Sequence, residues 1–493
     1  MISKREKWLV VLFLVTLPIV NPWIRGDGVG YYAYARALLI QHNLDFRQDW
    51  LHANTSFLMG RVDSQGHLTP EQFTPTGHLD NHFTIGPALL WSPFLIVVHA
   101  AVVTADKFGA HISADGFSRP YRDVVAVATC LYSFLALLLS YRLASKYFEP
   151  RWAFLATLGI WFASSLPVYM YFNPSWSHAL SAFTVALFLV YWDRTRPART
   201  VRQWIVLGLI GGLMVDVYYP NIVVVIVPLL ESLRGYWKSL RHAEPRPPSA
   251  AGLLIRNLLF ALVALAAFFP TLLTKKIIYG GFLDFGYTEH CYWKSPALKA
   301  VCFSSDHGLF SWTPILIFAV AGLFFAMRFH HEKQRGEIAL YFLAAFAGFL
   351  YLMGCYELWD GLSSFGSRFF VSLTPIFVFG LAALLDSCAR SWRSRAMPKV
   401  AALLVSLFIV WNLEFAFQWG MHMVPSRGPI SFRQMAYSQV TDVPVRLSHT
   451  FFEYLAHRKV LMKNIEDTDV RQLKKQFSNQ SQPQPQTGGP NRK

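Results

Sequence analysis

The sequence predicts an all-α, polytopic membrane protein, and three observations carry that reading. Of its 493 residues, 54% are apolar and only 15% charged, with a mean hydropathy of +0.32; soluble domains keep a larger charged share. Near-uniform apolar runs of about 20 residues recur along the chain, the length a helix needs to cross a bilayer. Basic residues cluster in the short connections between these runs, where they act as topology signals.

In chain order, the first run (about 8–24) follows Lys4, Arg5 and Lys7. Pro22 and Trp23 stand where a cleavage site would need small residues, so the run is expected to remain as a span. Further spans are expected at about 121–143, 151–168, 177–193, 203–216, 220–233, 254–274, 309–328, 338–354, 369–389 and 399–418. The basic segments are the N-terminus, 142–151, 194–203, 234–256 (with Arg234, Arg246 and Arg256), 328–337 and 390–399 (with Arg390, Arg393 and Arg395). The positive-inside rule assigns all six to the cytoplasm.

Residues 86–104 are also apolar enough to span, but a crossing there would put every later basic loop outside. They are expected to lie in the outer interface or re-enter it, a position that suits Trp91, Pro93 and His99. The resulting layout has about eleven transmembrane helices, an interfacial helix, and a cytoplasmic N-terminus. A large external first loop covers 25–120, with six Lys/Arg against eight Asp/Glu. Residues 1–420 form the membrane domain. The external segment 421–493 is expected to be disordered from about 476, where Gln, Pro, Ser, Gly and Asn dominate.

Two shorter runs, 203–216 and 220–233, flank Asp216-Val217-Tyr218-Tyr219-Pro220-Asn221. Each run is too short for a full crossing, and a polar bend at depth must line protein or a wet cavity. The net charge of +16 resides in the basic loops and marks topology, so no nucleic-acid partner is expected. Five cysteines make no disulfide framework. Cys130 and Cys388 read as buried thiols, while Cys291 and Cys302 share a loop and could pair if it is external.

This topology sorts the polar residues by side and places the candidate chemistry outside. Asp27 follows the first span directly, and a carboxylate at that depth is costly unless it is used. It reads either as a catalytic base open to a substrate or as the cap of the next helix. Gly26, Gly28 and Gly30 around it allow tight turns and close approach of a ligand. The candidate binding set is Tyr31, Tyr32, His82, His178, Lys275, Lys276 and Arg368. Lys275 and Lys276 lie at an outer end, against the charge bias. Arg368, at the mouth of a span, offers a planar fork to a phosphate. There is no HExxH, paired-cysteine, phosphate-loop or dinucleotide motif. No metal ligand is assigned and no cofactor is expected; a divalent ion would need Asp45, Asp49 or Asp80 to fold back towards Asp27.

Certain residues add a resemblance that covers about 1–420. They are Asp27-Gly28-Val29-Gly30-Tyr31-Tyr32 with Ala35, Arg36 and Leu38, and Gly86-Pro87-Ala88-Leu89-Leu90-Trp91. Gly211-Gly212-Leu213, Trp359-Asp360-Gly361 and Phe365-Gly366-Ser367-Arg368-Phe369 complete the set. With their layout, they resemble the GT-C superfamily, in its bacterial branch near the aminoarabinose and protein-mannosyl transferases. The resemblance implies a glycosyltransferase of the bacterial inner membrane that acts on the external face. It would move a sugar from a polyprenyl-phosphate donor to a glycan, lipid or protein acceptor, inverting the anomeric centre, with Asp27 as general base. The chain departs from the pattern in three places. Gly28 follows Asp27 where many relatives carry a second acidic residue. The turn 169–178 offers Asn173 and His178 rather than a carboxylate. His82 and Thr84 stand near the position of a lysine in several relatives. The polar break at Asp216–Asn221 also suits a transporter or flippase for a lipid-linked or polyanionic solute. A third reading is a non-catalytic polymer-assembly subunit.

Overall fold

Apolar runs set the helices of this chain, and prolines divide them. The computed structural model describes residues 3–196, 198–241, 249–328, 333–392 and 394–480. Among these the protein is all-α, with three isolated β-bridges in its loops. Arg246, Arg393 and the tail 481–493 lie outside the described residues.

The first helices are α1 (Lys4–Thr16), α2 (Asp27–Arg36), α3 (Gly86–Lys107) and α4 (Arg119–Tyr147). Next come α5 (Pro150–Phe162), α6 (Ser177–Thr195), α7 (Val201–Val217), α8 (Ile226–Leu240) and α9 (Ala250–Tyr279). The last part holds α10 (Ile315–Arg328), α11 (Lys333–Cys355), α12 (Thr374–Ser391), α13 (Met397–Gly420) and α14 (Arg458–Gln480).

Six helical stretches among the described residues are long and apolar enough to cross a membrane: Gly86–Lys107, Arg119–Tyr147, Ala250–Tyr279, Gln334–Cys355, Arg368–Ser391 and Met397–Gly420. Five match expected spans; Gly86–Lys107 is the stretch read as interfacial. Proline punctuates several of the shorter apolar stretches, because it lacks the N–H that continues a helix. Pro18 lies in a 3₁₀ turn after α1, Pro220 opens the 3₁₀ turn Tyr219–Val225, and Pro314 precedes α10.

Ion pairs define one end of the bundle. Arg142 meets Glu6 at 2.6 Å and Lys146 meets Asp193 at 2.8 Å. Arg196 binds both Glu231 and Glu337, and Arg234 binds Glu337. Asp386 receives Arg390 at 2.9 Å and Arg335 at 3.7 Å. Residues in or beside all six basic segments therefore meet at one end. Both flanks of α3 are held away from it. On one side Thr84 donates to the Val217 carbonyl, and the Ile85 amide to Thr271. Along α3, Trp91 donates to Thr129 at 2.9 Å and His99 meets Tyr121 at 2.7 Å. The following loop returns to the first loop, where the Gly116 carbonyl accepts from Tyr32 and that of Asp115 from Arg36. Thus α3 runs beside the far half of α4 and does not join the two ends.

Small residues let helices cross closely, as membrane packing favours. A Cβ at Gly322 would lie 1.8 Å from the Gly380 carbonyl, and one at Gly212 would lie 2.3 Å from that of Ala264. The α12 helix is the buried centre, whereas α9 exposes Leu254, Leu258, Leu262, Leu265 and Phe269 at helical spacing. The first loop has its own core, fastened by the buried pair Arg36–Asp49, with two contacts of 2.6 Å. Three helices follow α13 among the described residues, and the last spans Arg458–Gln480. Glu466 ties it to the first loop through Asn54 and Ser56.

All five cysteines are free. Cys291 is exposed and Cys302 buried in a short helix, so the possible pairing does not occur. Cys388, expected inside, is exposed.

Candidate active site

At the far end of the bundle from the ion-pair network lies a cavity of about 1160 Å³. That exceeds the usual ~300–1,000 Å³ of small-ligand sites. Its walls come from α2, the loop before α3, the Tyr218–Ile222 bend, segments 283–291 and 352–369, and the C-terminal segment.

Asp27 sits at the first turn of α2, and Gly26 is the helix cap; no side chain caps this end. The capping alternative for Asp27 is thereby replaced by an ion pair. Arg368 Nη1 donates to Asp27 Oδ2 at 2.8 Å, and the carboxylate, 29% exposed, opens onto the cavity. The glycines serve packing rather than a ligand. Gly26 has φ +54°, and a Cβ there would lie 2.8 Å from the Trp176 ring. At Gly28 it would lie 2.0 Å from Ser175 Oγ and at Gly30 2.2 Å from Phe83. The backbone around Asp27 is thus pressed against the 173–177 turn and the loop before α3.

Arg368 is held flat. Its guanidinium lies 4.5 Å from the Trp176 ring centroid, and the Trp176 indole donates to the Arg25 carbonyl at 2.9 Å. Its Nε has no hydrogen-bond partner. An arginine stacked on a ring and paired with a carboxylate is held in one orientation, and this one lines the cavity.

Tyr31 lines the cavity and accepts from Ser177 at 2.8 Å. Burial, then the charge of Asp27, pushes its phenol up, so it stays protonated and able to donate. His82 also lines the cavity, its ring between Phe83 (4.2 Å) and Tyr287 (4.9 Å). Burial pushes its imidazole down against the opposing pull of Asp80 and Asp27. This favours a hydrogen-bonding role for His82. His178 reaches the same cavity among Tyr169, Trp176 and Tyr218, with Nδ1 unpartnered.

Three expected binding residues lie elsewhere. Lys275 is fully buried and donates to the carbonyls of Asn81 (2.8 Å) and Phe83 (2.7 Å) and to Tyr34 Oη (3.3 Å). A lysine has three N–H donors, and these three acceptors take them all. Lys276 is exposed and donates to the Gly280 carbonyl at 2.6 Å, closing the C-terminus of α9. Tyr32 is buried and donates to the Gly116 carbonyl at 2.6 Å.

Conversely, the cavity recruits residues that the sequence did not single out. Arg61, Glu289 and Arg427 line it, and Arg427 donates to Ser363 at 2.6 Å. The C-terminal segment adds Asp469, which receives His422 at 2.8 Å and Arg25 at 3.5 Å. Of the carboxylates considered for a metal, Asp49 is committed to Arg36, and Asp80 accepts from Tyr279. Asp45 pairs with Arg47 at the exposed surface. A different group, Asp306, His307 and Asp360, brings three donor atoms together behind the cavity. Pro220, Ile222, Phe268, Leu283 and Phe285 form an apolar wall. Ile222 and Leu283 in it are 54% and 78% exposed, so that wall reaches the outside of the bundle.

No family model matches the sequence, and no curated protein matches it. Among solved structures, the chain is similar to ArnT from Cupriavidus metallidurans in the apo state, at 14% sequence identity and a TM-score of 0.45. The match covers 89% of this chain and 75% of that one.

Proposed function

We propose that this protein is a membrane glycosyltransferase that moves a sugar from a polyprenyl-phosphate carrier to an acceptor hydroxyl. One observation carries the reading: a single large cavity joins the Asp27–Arg368 pair to an apolar wall that reaches the outside of the bundle. A lipid-linked sugar phosphate has the matching parts, a polar head and a long apolar tail.

In the proposed step, Asp27 takes the proton of the acceptor hydroxyl. The acceptor oxygen attacks the anomeric carbon from the face opposite the phosphate. The bond from that carbon to the phosphate oxygen breaks, and its electrons leave with the lipid phosphate. The configuration inverts. Arg368 orients Asp27 and lies ready for the charge that develops on the leaving group. Arg61 and Arg427 add positive charge to the same walls.

The six basic segments gathered at the opposite end support a cytoplasmic assignment for that end. The cavity would then face outwards and work on donor that has already crossed the membrane. The test is turnover by purified protein in lipid nanodiscs supplied with polyprenyl-phosphate sugars. Release of polyprenyl phosphate that depends on an added acceptor is expected. Movement of intact donor between leaflets without release would instead identify a flippase.

A further inference from the structure

Behind the Arg368 side of the cavity, two loops that are distant in sequence meet. One carries Asp306 and His307, the other Asp360. One ligand atom from each lies within 4.8 Å of the other two. His307 is 1% exposed, and its ring nitrogens make no well-formed hydrogen bond; the Asp360 backbone acts on the ring only from a weak placement. Its Nδ1 faces Asp306 Oδ1 at 3.3 Å, and that oxygen is also without a hydrogen bond. A buried imidazole without a well-formed hydrogen bond is costly. Two carboxylates drawn together around it repel each other.

The backbone is built to hold this arrangement. His307 has φ +56°, a left-handed conformation that a side-chain-bearing residue seldom adopts. The turn is closed by the Asp306 amide on Ser304 Oγ (3.0 Å) and the Gly308 amide on the Ser304 carbonyl (3.2 Å). The His307 ring packs 4.7 Å from that of Trp312, whose indole donates to the Ser305 carbonyl at 3.0 Å. The ring is thereby locked facing the two carboxylates.

We propose that Asp306, His307 and Asp360 form a binding site for one divalent transition-metal ion of the zinc type. A single cation would fill the empty imidazole position and neutralise both carboxylates at once. One imidazole nitrogen with two carboxylate oxygens is a borderline donor set that suits zinc, whereas magnesium and calcium take oxygen alone. The ion does not meet Asp27 and takes no part in the transfer step. It ties the 304–308 turn to the loop that carries Arg368. Gly361, next to Asp360, has φ +71°, and a Cβ there would lie 3.1 Å from Arg368 Nε. The site is thus a positioning device for the arginine that holds Asp27, and its binding of metal does not depend on the transferase reading.

The experiment uses the full chain in detergent, stripped with a chelator and dialysed. Zinc is then added and counted per chain, and unfolding temperature is recorded with and without it. One bound zinc and a raised unfolding temperature are expected, with magnesium and calcium failing to replace it. Asp360→Asn and, separately, Asp306→Asn keep the shape of the loops and should weaken zinc binding by about 100-fold or more, at least the loss seen for supporting partners of metal ligands. Asp27→Asn should leave binding unchanged. Absence of stoichiometric zinc in the wild type would overturn the proposal, as would wild-type affinity in both loop variants or a preference for magnesium or calcium.

Discussion

The two ends of the helix bundle use charge in opposite ways. At the end bearing the basic segments, acids and bases are matched to one another. Asp193 receives both Lys146 and Tyr147, and Arg199 donates to Glu231, Thr195 and the Trp192 carbonyl. At the cavity end, Arg368 holds Asp27 through one nitrogen, and both side chains line the cavity with His82 and His178. Both regions are rich in buried charge, so buried charge alone does not mark function. What differs is the setting, since the Asp27–Arg368 pair lines a cavity of about 1160 Å³ that also carries an apolar wall.

This contrast can be broken by substitution. Arg368→Ala removes the cation that orients Asp27 and should lower transfer by about 10²–10³-fold, the range for losing a preorganised electrostatic group. Folded protein should be recovered at near wild-type yield, as judged by size-exclusion chromatography. Equal losses of yield and activity would make the pair structural, like those at the other end.

Lys275→Met tests the cation that resembles a ligand contact in sequence and a clamp in structure. Tyr34 still donates to the Asn81 carbonyl, so the Phe83 carbonyl is the group left without its donor, a loss of about 1–3 kcal/mol. Thermal unfolding should reveal a large drop, while the KM for donor in the surviving folded fraction stays unchanged. A raised KM with wild-type stability would return Lys275 to the site.

Asp193→Asn weakens the matched network. Lys146 is 46% exposed, so water compensates it in part, and the expected destabilisation is about 1 kcal/mol. Turnover per folded molecule should not change. Lys276→Ala should have the smallest effect, within about 0.5 kcal/mol of wild type, as for exposed positions generally. A measurable change in donor use by this variant would show that the end of α9 reaches the substrate.

Much of the fold was legible because it follows from one-dimensional signals. Apolar runs marked the long helices, and the charge of the connections grouped six segments that the ion pairs bring to one end. Asp27 was legible because a carboxylate directly after an apolar run is conspicuous. The exact partners were not. Lys275 stands at the outer end of an apolar run in the manner of a phosphate-binding lysine. Only folding brings the carbonyls of Asn81 and Phe83 to its donors. Arg427 lies in the segment after α13, and nothing local ties it to a cavity built from the first loop. Asp306, His307 and Asp360 have no motif spacing, since the loops that unite them are joined by α10 and α11. Packing decided these points, and packing is not periodic. The three glycines around Asp27 were read as room for a ligand, whereas Ser175, Phe83 and Trp176 fill that room.

The central claim is that Asp27 is the base of a transfer reaction in the cavity. Asp27→Asn tests it most directly, because asparagine keeps the size and can still accept a hydrogen bond from Arg368 but cannot take the acceptor proton. Sugar transfer and donor binding should be measured on the same purified preparation. Transfer should fall by about two to four orders of magnitude, the range for loss of a general base, while donor binding changes little. A folded Asp27→Asn protein that binds donor and turns over at the wild-type rate would contradict the account.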